Sequence, residues 1–499
     1  LGGEGTFSNT NALDLNNASS KLLLSNSTTV AKVSTSADNS GLDVDQNSTV
    51  TSLTVGHTTP VSIASTKTLS GAITITAGSI KLGEAGTLAS TVSMSGGTLD
   101  ADETMTVSGA LTQAGAITID VAEDKTLTYS GAALSLGAYT LTMSGEGAFS
   151  NTNALDLNNA SSKLLLNSIT VAKVSTSLAS LGLDVDDDST VTSLTVGHTT
   201  PVSIASTKTL SGAITVGAGS IKLAETGTLG STVSMSGGTT LDIDETLTLS
   251  GALTQSGNIT IDVAEDKTLT YSGSSLYLGA NTLTLSGGGT LSNTNTSALF
   301  LNHSSSKLLL NSITVSYVRI LSGATLGLDV DDDSTVTSLI TSLITPISIA
   351  DGKTLSGAIT VSSGSIKLGE AGTLASSVSM SGGTLDIDES MTLSGALTQS
   401  GSITIDVASS KTLTYSGAAL SLGANTLTMS GGGTLSNTNA LVLNNASSKL
   451  LLNSITVDNV STSLASLGLD VNDDSTVTSL TVGHTTPVSI ASGKTLSGT

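Results

Sequence analysis

The sequence predicts an all-β fold, a parallel β-solenoid, and three observations carry the prediction. The first is local alternation. Between Val202 and Gln255 the chain reads as three similar lines, each opening on an apolar-x-apolar triplet: Val202/Ile204, Ile221/Leu223 and Leu241/Ile243. Period-two alternation marks a strand with one buried face. The second is spacing. Six residues past each triplet comes a leucine (Leu210, Leu229, Leu249), and four further on another apolar residue (Ile214, Val233, Leu253). The step from Ile204 to Leu223, Ile243 and Val263 is 19, 20 and 20 residues. If each line is one turn of a coil, these four residues stack in a column and fill an internal core. The third is that each line holds three short strands divided by Gly, Ser and Thr, so about 20 residues and three strands make a turn.

Composition agrees with a thin, continuous core. The chain has 499 residues, 53 Gly, 3 Phe, 4 Pro and no Trp, and only 11% are charged. That charge density, with a mean hydropathy of +0.28, argues against disorder. Thr and Val suit strands, and small residues suit tight corners. Helix signals are poor, because β-branched residues and Gly dominate and no long segment has a 3.6-residue period.

A longer repeat overlies the turn. LGGEGTFSNTNALDLNNASSKLLL from Leu1 returns at Met143, Leu285 and Met429, offsets of 142, 142 and 144, with a two-residue insertion near Thr296–Ser297. The units are therefore 1–142, 143–284, 285–428 and a partial 429–499, forming one continuous solenoid. We read the chain as about three and a half units of a longer protein whose caps lie outside it. In the second unit the core markers are Leu157, Val185, Ile204, Leu223, Ile243, Val263 and Leu278. A unit of 142 residues then holds about seven turns. The whole chain would hold about 25, or ~120 Å at the ~4.8 Å strand spacing. Ser168–Gly182 is the least regular stretch and is expected to bulge or hold a loop. Pro60, Pro201, Pro346 and Pro487 each precede a VSI or ISI strand, where a residue without an N–H fits.

The phrases TLTLSGGGTLSNTN and GTL…LTLSG, with turns near 20 residues, resemble the passenger repeats of autotransporters and filamentous-haemagglutinin-like adhesins. The resemblance covers the whole chain. It implies a right-handed parallel β-helix, export and a place at the cell surface. It carries over no functional residues, because the shared phrases are structural.

Charge and cysteine usage narrow the function classes. The net charge is −22 with Arg319 as the single arginine. Nucleic-acid binding, which needs basic patches to displace counterions, is excluded. With no cysteine there is neither a disulfide framework nor a thiolate metal site. No apolar run reaches membrane-spanning length.

The acids cluster at turns. GLDVDDDST supplies Asp184, Asp186, Asp187 and Asp188, with copies at Asp43/Asp45, Asp329/Asp331–Asp333 and Asp470/Asp473/Asp474. LDIDE supplies Asp242, Asp244 and Glu245, matched by Asp386, Asp388 and Glu389. Such clusters could take Ca²⁺, which wants six to eight oxygens. Asp186, Asp187 and Asp188, with Asp331, Asp332 and Asp333, are the candidates. The glycine-rich nonapeptide of calcium-binding β-rolls is absent, and Glu265/Asp266 become Ser409/Ser410. The preferred reading is therefore outward, solvated acids and no cofactor.

Paired carboxylates also suggest polysaccharide hydrolases, which hold two carboxyls at a set separation across a cleft. An active site is unique, whereas these acids recur in tandem, so no enzyme is expected. His57, His198 and His484 share one position that Leu343 fills in the third unit, and His303 replaces an Asn. These are corner residues, not ligands. Thr209, Thr228, Thr248 and Thr268 each precede a core leucine and should form an outward column. Tyr129, Tyr271 and Tyr415 recur in TLTYSG and are expected to cover a turn.

The functional expectation is a structural segment of an extracellular cell-surface fibre or filament, self-associating into filaments or bundles. The alternative is an adhesin presenting a glycan-, cell- or ice-binding face. A polysaccharide-active enzyme is third.

Overall fold

The computed structural model describes residues 1–321 and 325–498. They form two compact units, Leu1–Ala252 and Leu253–Thr499, and each is an all-β parallel solenoid with one short 3-10 turn, Asn295–Ser297, in the second.

In the first unit a narrow sheet takes one strand from every turn. Lys21–Leu24, Gly41–Val44, Thr59–Ile63, Ser79–Leu82, Thr98–Ala101, Ile117–Val121 and Thr140–Ser144 succeed one another before Lys163–Leu166 repeats the first. Seven turns therefore span the 142-residue repeat. A wide sheet takes the rest of each turn. In some turns it holds two short strands, such as Met105–Val107 and Leu111–Gln113, and in others one eight-residue strand, such as Ser189–Val196 or Thr209–Val216. The three predicted strands per turn are present, two of them belonging to one sheet and merging where no corner residue parts them.

Burial follows the alternation. Thr200–Ile204 and Ile259–Val263 both alternate between buried and half-buried positions. Leu210, Leu223, Leu229, Ile243 and Leu249 are at most 1% exposed. Burying one such side chain is worth about 1.5–3 kcal/mol, and every turn contributes several.

The predicted stacking needs two corrections, one in register and one in sheet assignment. Leu223 pairs with Val202 rather than with Ile204, although Ile204 does stack on Val185 and Ile243 on Leu223. The column thus slips by two residues at each Thr-Pro-Val strand. The displaced isoleucine finds room against a corner glycine. A Cβ on Gly227 would lie 2.4 Å from Ile204 Cγ2, and Gly86 and Gly372 stand in the same relation to Ile63 and Ile349. A second slip follows Val121: Ile119, not Val121, meets Met143, and Val121 leans on Gly147. The recurrent Gly before the Thr-Leu or Ala-Phe strand is thus a packing requirement. A two-residue slip keeps the same side chains inward, whereas a one-residue slip would expose them.

The second correction concerns the markers. Leu157 lies in the wide sheet, opposite Thr176, and Leu278 follows the wide-sheet strand Leu276–Tyr277. The narrow-sheet column runs instead through Met143, Leu166 and Val185. In the second unit it runs through Leu285, Leu310 and Val330. Placing Leu157 and Leu278 in one column with the others reads across two sheets, which is why Leu157 to Val185 spans 28 residues and Val263 to Leu278 only 15.

Gly212 shows why the merged wide-sheet strands need glycine. Its φ is +120°, and an added Cβ would sit 1.9 Å from the Val191 carbonyl oxygen. The register shifts at this point, between Val191 and Leu194. Gly71 and Gly357 repeat the arrangement over Val50 and Val336. About half of the irregular stretch Ser168–Gly182 is strand, Thr170–Thr176. Only the short segment after it leaves the sheet, exposing Leu178 and Leu181.

Candidate functional site

The acidic corners bring their carboxylates to different partners. Asp186 is exposed. Asp187 pairs with Lys208 Nζ at 2.5 Å. Asp188 Oδ1 accepts the Thr209 backbone N–H at 2.7 Å and so caps the next turn. In the second unit Asp331 is exposed, Asp332 pairs with Lys353 at 2.7 Å, and Asp333 accepts from Thr354 N at 2.7 Å. Asp473 and Asp474 do the same with Lys494 and Thr495. In the first repeat Asn47 Oδ1 takes the capping role on Thr68 N. Its amide carbonyl accepts the same backbone N–H without a charge, so the corner needs an acceptor there rather than an acid.

The electrostatics follow those partners. The Lys208 ammonium, then the Asp188 backbone N–H, hold the Asp187 carboxyl below its ordinary value, and Asp187 in turn raises Lys208. Asp332 and Asp473 are lowered by Lys353 and Lys494 in the same way. Among the described residues no group of three or more His, Asp or Glu side chains is placed to hold a metal ion. Asp188 and Asp333 do border shallow polar hollows of about 200 and 190 Å³.

The LDIDE acids face outward on the narrow sheet. Lys222 reaches up one turn to Asp242 at 3.1 Å and Asp244 at 2.7 Å. Lys81 makes the same clamp on Asp100 and Asp102, and Lys367 on Asp386 and Asp388. One turn higher the ladder places like charges opposite each other, Asp120 on Asp100 and Asp406 on Asp386. Ser144 Oγ donates to Asp120 and Ser430 Oγ to Asp406. Partial burial first, and then the Asp102 charge, push the Asp100 carboxyl above its ordinary value despite Lys81. Burial does the same to Asp386.

The other singled-out residues have structural work. His303 Nδ1 accepts the Ser305 N–H at 3.0 Å, the bond that Asn17, Asn159 and Asn445 make with Ser19, Ser161 and Ser447. The exchange of Asn for His keeps an acceptor at that corner. Tyr129, Tyr271 and Tyr415 lie inside, at most 2% exposed. The Tyr129 hydroxyl accepts from Leu111 N at 3.0 Å and donates to the Ala132 carbonyl at 2.6 Å. These tyrosines close the turn from within. Thr209, Thr228 and Thr248 do stack. In the equivalent column of the first repeat, however, Thr106 meets Thr128, not Thr126, a further two-residue slip.

Sequence reasoning missed one cluster. On the outer face of the wide sheet, Tyr277 stands opposite Phe300 and Phe300 opposite Arg319. The Tyr277 and Phe300 rings stack at 4.9 Å with 13° between planes. The Arg319 guanidinium lies 5.6 Å from the centre of the Phe300 ring. Arg319 Nη1 also points to Asn295 Oδ1, at 3.4 Å, in the inserted 3-10 turn. The available signals were the lone arginine, the insertion and two aromatics in a chain nearly without them. Nothing in their sequence spacing joined them until the register was known. No family model matches the chain, and neither does any curated protein or solved structure.

Proposed function

We propose that the chain is a structural segment of an extracellular cell-surface fibre or filament, acting as a stiff spacer. The observation that carries the reading is the use of the outward charges. Lys21, Lys81, Lys125, Lys163, Lys208 and Lys222 each pair with an acid on a neighbouring turn. The arrangement returns in later repeats. Side chains whose partners lie one turn away serve the stacking of turns, and a tandem surface makes tandem contacts. Each exposed pair adds little, because water and salt screen it, but the backbone ladders and the apolar columns run beneath all of them. The acidic excess supplies hydration and self-repulsion between neighbouring fibres.

Electron microscopy of the native material tests the proposal. Uniform fibres with an axial period of seven turns, ~34 Å at the strand spacing, are the expected result. Single particles without any fibre would overturn it.

A further inference from the structure

The aromatic column at the junction of the second and third repeats breaks the tandem pattern in one place, and several independent changes meet there. Where the first repeat meets the second, the same outward positions are Ser135, Asp156 and Ser175. Where the third meets the fourth they are Ser421, Val442 and Ser461. The junction of the second and third repeats has Tyr277, Phe300 and Arg319, followed on the next strand by Ile340 in place of Thr195 and Thr481. The two-residue insertion adds its 3-10 turn beside them. It is tied to the column by Arg319 and to the neighbouring turn by Ser275 Oγ, which donates to the Thr296 carbonyl at 3.1 Å. A rod needs none of these changes.

Together they make a platform. Phe300 is only 6% exposed although it points outward, because Tyr277 covers one face and Arg319 the other. Tyr277 is 54% exposed. With one ring face on Phe300, its other face borders an open hollow of about 520 Å³. Thr254, Gln255, Ser274 and Ser275 supply the polar lining of that hollow. Arg319 has no carboxylate within ion-pair distance among the described residues, in a chain that carries 39 acids.

We infer that this surface binds an acidic oligosaccharide. A pyranose has an apolar C–H face and a rim of hydroxyls. The first matches an open aromatic ring held rigid by a second ring, and the second matches hydroxyl and amide groups lining the same hollow. The volume lies within the range of small-ligand sites, ~300–1,000 Å³. It is too small a footprint for a stable protein interface, which buries about 800 Å² on each partner. Arg319 lies outside that hollow, beyond Phe300 along the same column, where a further sugar of a bound oligosaccharide would meet it. There the guanidinium supplies the preference for acid, because its fork matches a carboxylate bidentately and is always charged. The site does not depend on the fibre reading, since a stalk or a filament subunit could equally carry it.

The test is calorimetric titration of the 499-residue chain with tetragalacturonate, against cellotetraose as the neutral probe. Saturable binding of the acidic tetrasaccharide, at least tenfold tighter than the neutral one, is expected. Tyr277→Ser and Arg319→Ser install residues that other repeats carry at these positions, so both variants should fold, and circular dichroism would show it. Tyr277→Ser should weaken binding at least tenfold. Arg319→Ser should abolish the preference for the acidic probe, and Arg319→Lys should restore part of it. Tyr139→Ser, at an exposed tyrosine outside the column, should change nothing. No binding of the acidic probe, equal binding of both probes, or binding unchanged in Tyr277→Ser and Arg319→Ser would overturn the proposal.

Discussion

The outward column Ser135–Asp156–Ser175 and the outward column Tyr277–Phe300–Arg319 occupy the same place in two repeats and share almost no chemistry. In the former, Asp156 accepts from the Ser175 hydroxyl at 2.9 Å and the Ser177 hydroxyl at 2.7 Å. In the latter, two rings and a guanidinium stack. The inward neighbours hardly differ: Leu155, Leu157 and Val174 in one, Leu299, Leu301 and Val318 in the other, all at most 1% exposed. The lesson is that the two faces of one strand answer to different constraints. Backbone ladders and inward side chains hold the turn, and the outward side chain is left to whatever the surface requires.

That contrast is most sharply tested from the inside. Ile243→Asp would place a carboxylate in the inward column beside Leu223, and burying an unpaired charge should cost roughly 3–5 kcal/mol. Limited proteolysis should then cut near this turn, and unchanged resistance would show that the inward column is misplaced. Next comes the corner packing. Gly227→Ala puts a methyl 2.4 Å from Ile204 Cγ2 and 2.6 Å from its carbonyl oxygen, an overpacking cost of about 1–3 kcal/mol. Thermal unfolding reads it, with Gly230→Ala, whose nearest neighbour is a Thr209 methyl at 3.1 Å, as the milder comparison.

Outward charges should give smaller effects of opposite sign in two places. The Asp100 carboxyl is raised, so the folded state binds its proton more readily than the unfolded chain, and the ionised form costs stability at neutral pH. Asp100→Asn should therefore raise Tm at pH 7, and the gain should vanish below about pH 4, where the unfolded carboxyl is protonated too. The Asp187 carboxyl is lowered, so its contribution is present above about pH 4 and is lost as pH falls through the depressed value. Asp187→Asn should lower Tm slightly at pH 7 and not at all in strong acid. Equal pH profiles for the two variants would mean that the Lys clamp and the Lys corner are electrostatically alike. The smallest effect belongs to the aromatic column itself. Tyr277→Ser should change stability by less than about 0.5 kcal/mol, as surface substitutions do, and a larger loss would make the platform part of the scaffold.

Much of this was legible in the chain. The triplets Ile221/Leu223 and Leu241/Ile243 marked strands with their inward residues, because a side-chain period of two is a property of the extended backbone. The 142-residue repeat and its seven turns followed from counting. The register was not legible. A column that slips by two residues at Ile204 and Val121 presents the same alternating pattern as one that does not, so only the packing of those side chains against Gly227 and Gly147 decides it. The corner acids were visible as a cluster, but not that each takes a different partner. Their partners, such as Lys208 and Thr209, lie one turn away.

Sequence by itself thus determined the all-β solenoid, the inward face of each strand and the length of the repeat, since each is written in local alternation and spacing. Tertiary structure decided which residues of successive turns meet. That choice buried Tyr129, split the acidic corners among separate partners, and brought Tyr277, Asn295, Phe300 and Arg319 to one surface. The physical reason is that a solenoid makes neighbours of residues about one turn apart. The length of each turn is set by how its corners pack, which no local pattern records.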